Sequence, residues 1–265
     1  MSIFLACSMR FFNHGGGVGD CLFFMISAWF LSAEVPSVRK SFRRAWVLER
    51  QLLAYSIPLF IVVLILVFEQ QVSGLSSMGI VNLGMRSILP TVGILWWYPA
   101  NYILFLLLFP WLSMGLKALS ASAHRNLVVL SLAVSSFYPL TARALTKYSF
   151  ALFIFLFILV SYVRWHMNDL SGLRRVPWTL VGVGAGVGIF GAMAVSMVFP
   201  SMLQRAYNYF NDPFLFPSLM IALGLVILAS RNETWHSSVV NKIASATLAT
   251  YLLLTYPYIM TFLTK

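Results

Sequence analysis

Charged side chains are almost absent from eight long stretches of this 265-residue chain, at about 17 to 33, 52 to 68, 92 to 114, 126 to 141, 148 to 163, 178 to 199, 213 to 230 and 243 to 263, with Asp20 the exception. A helix needs about 20 mostly apolar residues to cross the hydrocarbon core of a bilayer. Lipid offers no hydrogen bonds to a bare backbone, so each stretch must satisfy its own N–H and C=O groups as a helix. No segment alternates as a barrel strand would. The pattern predicts an all-α fold: a polytopic transmembrane helical bundle of about eight spans, one membrane-embedded domain over 1–265. Ser87 to Leu116 and Val176 to Gln204 are long enough to hold interfacial or re-entrant turns as well. Charged residues make up only 9% of the chain, against about 25% in a soluble domain, and the mean hydropathy is +0.85. These values exclude a soluble enzyme.

The few charges are mostly positive: 18 Lys and Arg against 7 Asp and Glu, a net +11. In a soluble protein that excess would point to nucleic acid. In a membrane chain it collects in cytoplasmic loops and meets anionic headgroups, so the partner expected here is the lipid bilayer and not nucleic acid. Counted over alternate loops, Arg39, Lys40, Arg43, Arg44, Arg50, Lys117, Arg125, Arg164, Arg174, Arg175, Arg231 and Lys242 fall on one side, twice the number on the other. This bias predicts that the 34 to 51 and 231 to 242 loops are cytoplasmic and both termini external. Cys7 and Cys21 have neither the spacing of a zinc site nor that of a disulfide framework. The short apolar start lacks the basic leader of a signal peptide. Gly182, Gly184, Gly186, Gly188 and Gly191 predict close helix packing.

Three ordered stretches carry a family resemblance. "GGGVGDCLFFMISAWFLS", Gly15 to Ser32, is followed by the basic segment. "WWYPANYILFLLLFPWLSMGLKAL" runs from Trp96 to Leu119, and "IASATLATYLLLTYP" from Ile243 to Pro257. Together they resemble the acyltransferase-3 family of integral membrane acyltransferases, in the branch that O-acetylates exopolysaccharides and other cell-surface glycans. The resemblance implies a multi-pass cell-membrane enzyme moving an acetyl or short acyl group from acyl-CoA to a hydroxyl of a glycan or its lipid-linked precursor. It also implies a further helix ahead of the Gly-rich segment, carrying a histidine, so the chain is expected to lack the family's first helix. Leu254 stands where the family's last helix has histidine, and Ala28 where it has glycine.

Acyl transfer to a hydroxyl needs a base, donors for the oxyanion and a site for the anionic carrier. His14, beside Gly15, Gly16 and Gly17, with Asp20 further on, is the catalytic candidate on local chemistry alone. The competing reading makes His14 interfacial and Asp20 a helix-start carboxylate favoured by the dipole. His124, His166 and His236 are expected in solvated cytoplasmic loops. Arg43, Arg44 and Arg50 are the candidates for the acyl-CoA phosphates, since guanidinium groups pair well with phosphate oxygens; topology and lipid binding are the more economical account of the basic stretch. Ser27, at the family's serine, and Trp97 and Tyr102, among the aromatics Trp96, Trp97, Tyr98 and Tyr102, are candidates for the acceptor. A helix-internal serine also bonds the preceding turn's carbonyl, and such aromatics also form interfacial belts. No metal and no cofactor are expected beyond acyl-CoA as donor substrate. Two other functions compete: a non-enzymatic transporter or flippase for glycan precursors, and a truncated, catalytically silent family member. The nearly charge-free spans speak against ion-coupled transport.

Overall fold

The computed structural model describes residues 15–71, 75–141, 150–167, 175–199, 215–230, 238–259 and 262. Nine helices and no strand are found among them: α1 Gly15–Ala33, α2 Val38–Phe68, α3 Ser77–Ile88, α4 Trp97–Lys117, α5 Ala121–Thr141, α6 Phe150–His166, α7 Val176–Val198, α8 Phe216–Ser230 and α9 Ser238–Leu254. The fold is an all-α helical bundle. Each of the eight apolar stretches contains one helix, and α3 is the addition. At 12 residues, or about 18 Å at 1.5 Å per residue, α3 is too short to cross a bilayer. Among the described residues three helices are long and apolar enough to do so: α2, α4 and Val176–Val195 of α7. On α2 and α7 the large side chains Ile57, Ile61, Val62, Ile65, Phe68, Val183, Val187, Phe190 and Met197 are exposed. Such a surface is costly in water and compatible with lipid, which is the signature of a membrane protein.

The segment 34 to 51, expected as a loop, is mostly helix. Ser37 is the N-cap and α2 runs unbroken from Val38 for 31 residues, about 46 Å. The basic stretch is therefore the first turns of the longest described helix, continuous with the apolar run that follows.

The chain forms two compact units, Met1–Val35 with Ser113–Thr234, and Pro36–Leu112 with Trp235–Lys265. In the first, α6 and α8 are buried over most of their circumference, as expected of helices apolar on every side. α7 packs on α8 most extensively, α8 and α6 pack on α1, and α5 packs on α6. The α7–α8 contact depends on absent side chains. A Cβ on Gly184 would lie 2.6 Å from the Pro217 carbonyl oxygen, and one on Gly224 would lie 2.7 Å from that of Pro177. Each helix thus offers a glycine to the other's backbone. Of the predicted glycine run, Gly184 makes such a contact, whereas Gly182 and Gly186 face open space.

α1 and α6 are joined by Phe24 edge-on to Phe153 at 4.5 Å. The Trp165 indole N–H donates to the Ser32 carbonyl at 2.9 Å. Arg164 donates to the Trp29 carbonyl at 2.6 Å and lies over the Trp29 ring at 4.7 Å.

In the second unit, α2 buries Leu52, Ser56, Leu59, Val63 and Leu66, a stripe at helical spacing. Ser56 donates to the Ser87 carbonyl at 2.6 Å, and the Ser87 hydroxyl pairs with the Tyr256 hydroxyl at 2.7 Å. Between α3 and α4 the chain turns back sharply. Arg86 closes this turn, donating to the carbonyls of Gly93 and Ile94 at 2.9 Å each. Ile94 has φ 48°, and a Cβ on Gly93 would lie 2.9 Å from the Arg86 Cα. Just beyond, Trp96 is buried, its N–H donating to the Leu252 carbonyl at 3.2 Å and its ring 5.8 Å from Tyr256. The turn expected within Ser87 to Leu116 is thus a packed corner preceding α4.

Candidate functional site

The basic residues of α2 fall into a pattern once the segment is helical. Lys40, Arg43, Arg44, Val47, Leu48 and Gln51 recur at intervals of three and four, so they share one helix face. Together with Tyr102 and Leu106 of α4 they line a cleft of about 490 Å³, within the usual range of small-molecule sites. Its two ends differ in chemistry. The cations occupy the first two turns of α2, and Val47, Leu48 and Leu106 follow toward the helix middle. Lys40 and Gln51, the first and last lining residues of α2, are eleven residues apart, about 16 Å along the axis.

Electrostatics make this arrangement selective for anions. A helix N-terminus already carries about half a positive charge, which acidic side chains normally offset. The first turn of α2 holds no acidic residue and Lys40 and Arg43 stand there or just beyond, so unfavourable charge accumulates where a bound anion would relieve it. Glu49, the acid within α2, accepts a hydrogen bond from the Thr91 hydroxyl and is directed to the corner preceding α4. Arg43 and Arg44 of the sequence-derived carrier set line the cleft. Arg50, seven residues past Arg43, is exposed and outside the lining. Lys40 takes the third cationic position, and its spacing of three from Arg43 was the signal for it.

The acceptor candidates separate. Tyr102 lines the cleft and stacks on Phe105 at 6.4 Å. Trp97 is half-buried, edge-on to Tyr98 at 5.3 Å, and outside the cleft lining. Trp96 is a core side chain. Ser27 donates to the Phe23 carbonyl one turn back at 3.2 Å. Ser27 and the half-buried Asp20 belong to the first unit, the cleft to the second. His14 lies outside the described residues, as do Cys7, His236 and the segment 231 to 237.

One histidine expected in a solvated loop is buried instead. His124, in the first turn of α5 and ahead of its apolar run, is 0% exposed. Its Nδ1 is 3.2 Å from Nε2 of His166, and its Nε2 is 3.1 Å from the Ile158 carbonyl oxygen. Tyr162 packs edge-on to it at 5.3 Å, and the Trp165 ring lies tilted against it at 5.7 Å. Sequence could not show this, because burial of the α5 start comes from α6, whose His166 is 42 residues away. Among the described residues no three His, Cys, Asp or Glu side chains gather as metal ligands would.

Compared with models of protein families, with curated proteins and with solved structures, the chain matches none.

Proposed function

We propose that this chain is a multi-pass cell-membrane O-acyltransferase, taking an acetyl or short acyl group from acyl-CoA to a hydroxyl of a cell-surface glycan or its lipid-linked precursor. The observation that carries the reading is the cleft: three cations on one face of α2, with an apolar wall beyond them and Tyr102 opposite. A CoA thioester has this polarity, phosphates at one end and an acyl-bearing arm at the other. Phosphate oxygens would accept from Lys40, Arg43 and Arg44, and the arm would lie along Val47, Leu48 and Leu106. In the reaction the acceptor oxygen bonds to the thioester carbonyl carbon, the carbon–sulfur bond breaks, and the hydroxyl proton passes to a base while CoA leaves as the thiolate. His14, with Asp20, is the proposed base.

The test is acetyl-CoA binding to the purified full chain and its variants, together with transfer of labelled acetyl to membrane glycan. A charge-assisted hydrogen bond contributes about 1.5–3 kcal/mol, so Lys40→Ala, Arg43→Ala and Arg44→Ala should each weaken binding by roughly tenfold or more. Arg50→Ala should bind nearly as the parent does. His14→Ala should slow transfer by about 10² to 10⁴ while leaving binding intact. Unchanged binding in all three cleft variants would return the cluster to topology and lipid contact. Glycan translocation without acyl transfer would favour a flippase.

A further inference from the structure

We propose that the His124–His166 hydrogen bond is a pH-sensitive tie between the start of α5 and the end of α6, closed at neutral pH and opened by acid. The argument starts from a carbonyl. Ile158 C=O can only accept, and it lies 3.1 Å from His124 Nε2, so that nitrogen carries a proton. In a neutral imidazole the other nitrogen is then a bare acceptor. His124 Nδ1 therefore accepts, and His166 Nε2, 3.2 Å away, must donate. The contact thus has one direction in the neutral pair.

Two protons have unequal effects on it. A proton taken up by His166, the exposed ring, leaves its Nε2 a donor. His166 then donates as an imidazolium, and a charge-assisted bond is stronger than a neutral one. The second has to go to His124 Nδ1. Both rings would then present N–H groups and positive charge across the same gap, and the contact must open.

The surroundings delay that second step. Burial of the His124 ring holds it below the ordinary imidazole range; the Ile158 bond opposes this, and His166 adds to the lowering. From α6, Tyr162 and Trp165 face the ring, and Ser161 Oγ lies 3.5 Å from Nε2. Lys117 at the end of α4 sits over the Trp165 ring at 5.4 Å, Arg164 is turned onto Trp29 of α1, and Arg125 follows on α5, exposed. Glu34 is the acid in this neighbourhood, its main-chain carbonyl 3.4 Å from Lys117 Nζ. The cations around the pair therefore outnumber the acid and disfavour further positive charge. Because the fold favours neutral His124, the tie is complete above about pH 6.5, the unfolded-state imidazole value, and is lost as pH falls through the depressed folded value. Its opening would loosen the same turn of α6 that holds α1 through Trp165 and Ser32.

The experiment is ¹⁵N NMR of the histidine-labelled full chain in detergent micelles from pH 8 to 4.5, with resonances assigned by comparison with His166→Gln and His124→Gln. His124 should appear as the Nε2–H tautomer at neutral pH and remain neutral below pH 6. In His166→Gln the amide still donates to Nδ1 but carries no charge, so the His124 midpoint should rise by about half a pH unit or more. Thermal unfolding of the parent should occur at lower temperature as pH falls below 6.5, and His124→Gln should flatten that dependence. An Nδ1–H tautomer, or a His124 midpoint near 6.5 that ignores His166→Gln, would overturn the proposal. Should His124→Gln fail to fold, the His166→Gln arm decides, since its site is exposed.

Discussion

Replacing Gly224 by alanine tests whether α7 and α8 are held together by backbone approach. The added Cβ would sit 2.7 Å from the Pro177 carbonyl oxygen, 2.9 Å from Val181 Cγ2 and 3.3 Å from Leu180 Cβ. The nearest atom belongs to the backbone, so no rotamer change relieves it and the helices must separate by several tenths of an ångström. Overpacking of this kind costs about 1–3 kcal/mol, against which alanine returns about 0.5–1 kcal/mol of helix propensity. Gly184→Ala meets the Pro217 carbonyl at 2.6 Å and should behave alike. Gly186→Ala, with nothing within 4 Å, keeps only the propensity gain. The three variants should therefore divide in sign: Gly224→Ala and Gly184→Ala lower the unfolding midpoint in detergent, and Gly186→Ala leaves it equal or higher. In a chain of this size each kcal/mol moves the midpoint by about 2–4 °C, a separation that thermal melts resolve. If Gly224→Ala and Gly184→Ala melt at or above Gly186→Ala, the close approach of α7 and α8 is refuted.

Two further expectations concern the second unit. Ser87→Ala removes the hydroxyl pair that links α3 to the chain after α9 and should cost about 1–3 kcal/mol by stranding the buried Tyr256 hydroxyl; Tyr256→Phe should cost less, because Ser87 keeps its bond to the Leu83 carbonyl at 2.8 Å. The double variant should cost clearly less than the sum, and additive losses in a double-mutant cycle would show that the two hydroxyls do not interact. Arg44→Cys, in a background without Cys7 and Cys21, should react with an impermeant maleimide only after cells are permeabilised. Labelling from outside intact cells would reverse the topology drawn from the basic-residue bias.

The helical class was legible in the residues because its cause is local. An uncharged run long enough to cross a bilayer has one way to satisfy its backbone, whatever packs beside it. Arg43 and Arg44 were legible as phosphate-binding candidates from their charge alone; that they line one cleft with Lys40 was not, because the segment reads as a loop and the spacing of Arg43 pointed to Arg50, which lies outside the cleft. What needed the tertiary structure depended on residues far apart in sequence. Tyr102 and Leu106 turn the cationic face of α2 into a cleft, and no spacing within α2 could announce them. Gly184 differs from Gly182 and Gly186 only through the carbonyl of Pro217 opposite, and Gly224 matters only through that of Pro177. His124 follows small and polar residues that read as a solvated loop; α6 covers it and gives its ring a partner. Sequence determined that the apolar stretches become helices, because hydrogen bonding along the chain is a short-range demand; it did not show that α2 extends back over the basic segment or that α3 forms. Packing decided which of their faces meet, and hence which charges, glycines and imidazoles acquire neighbours.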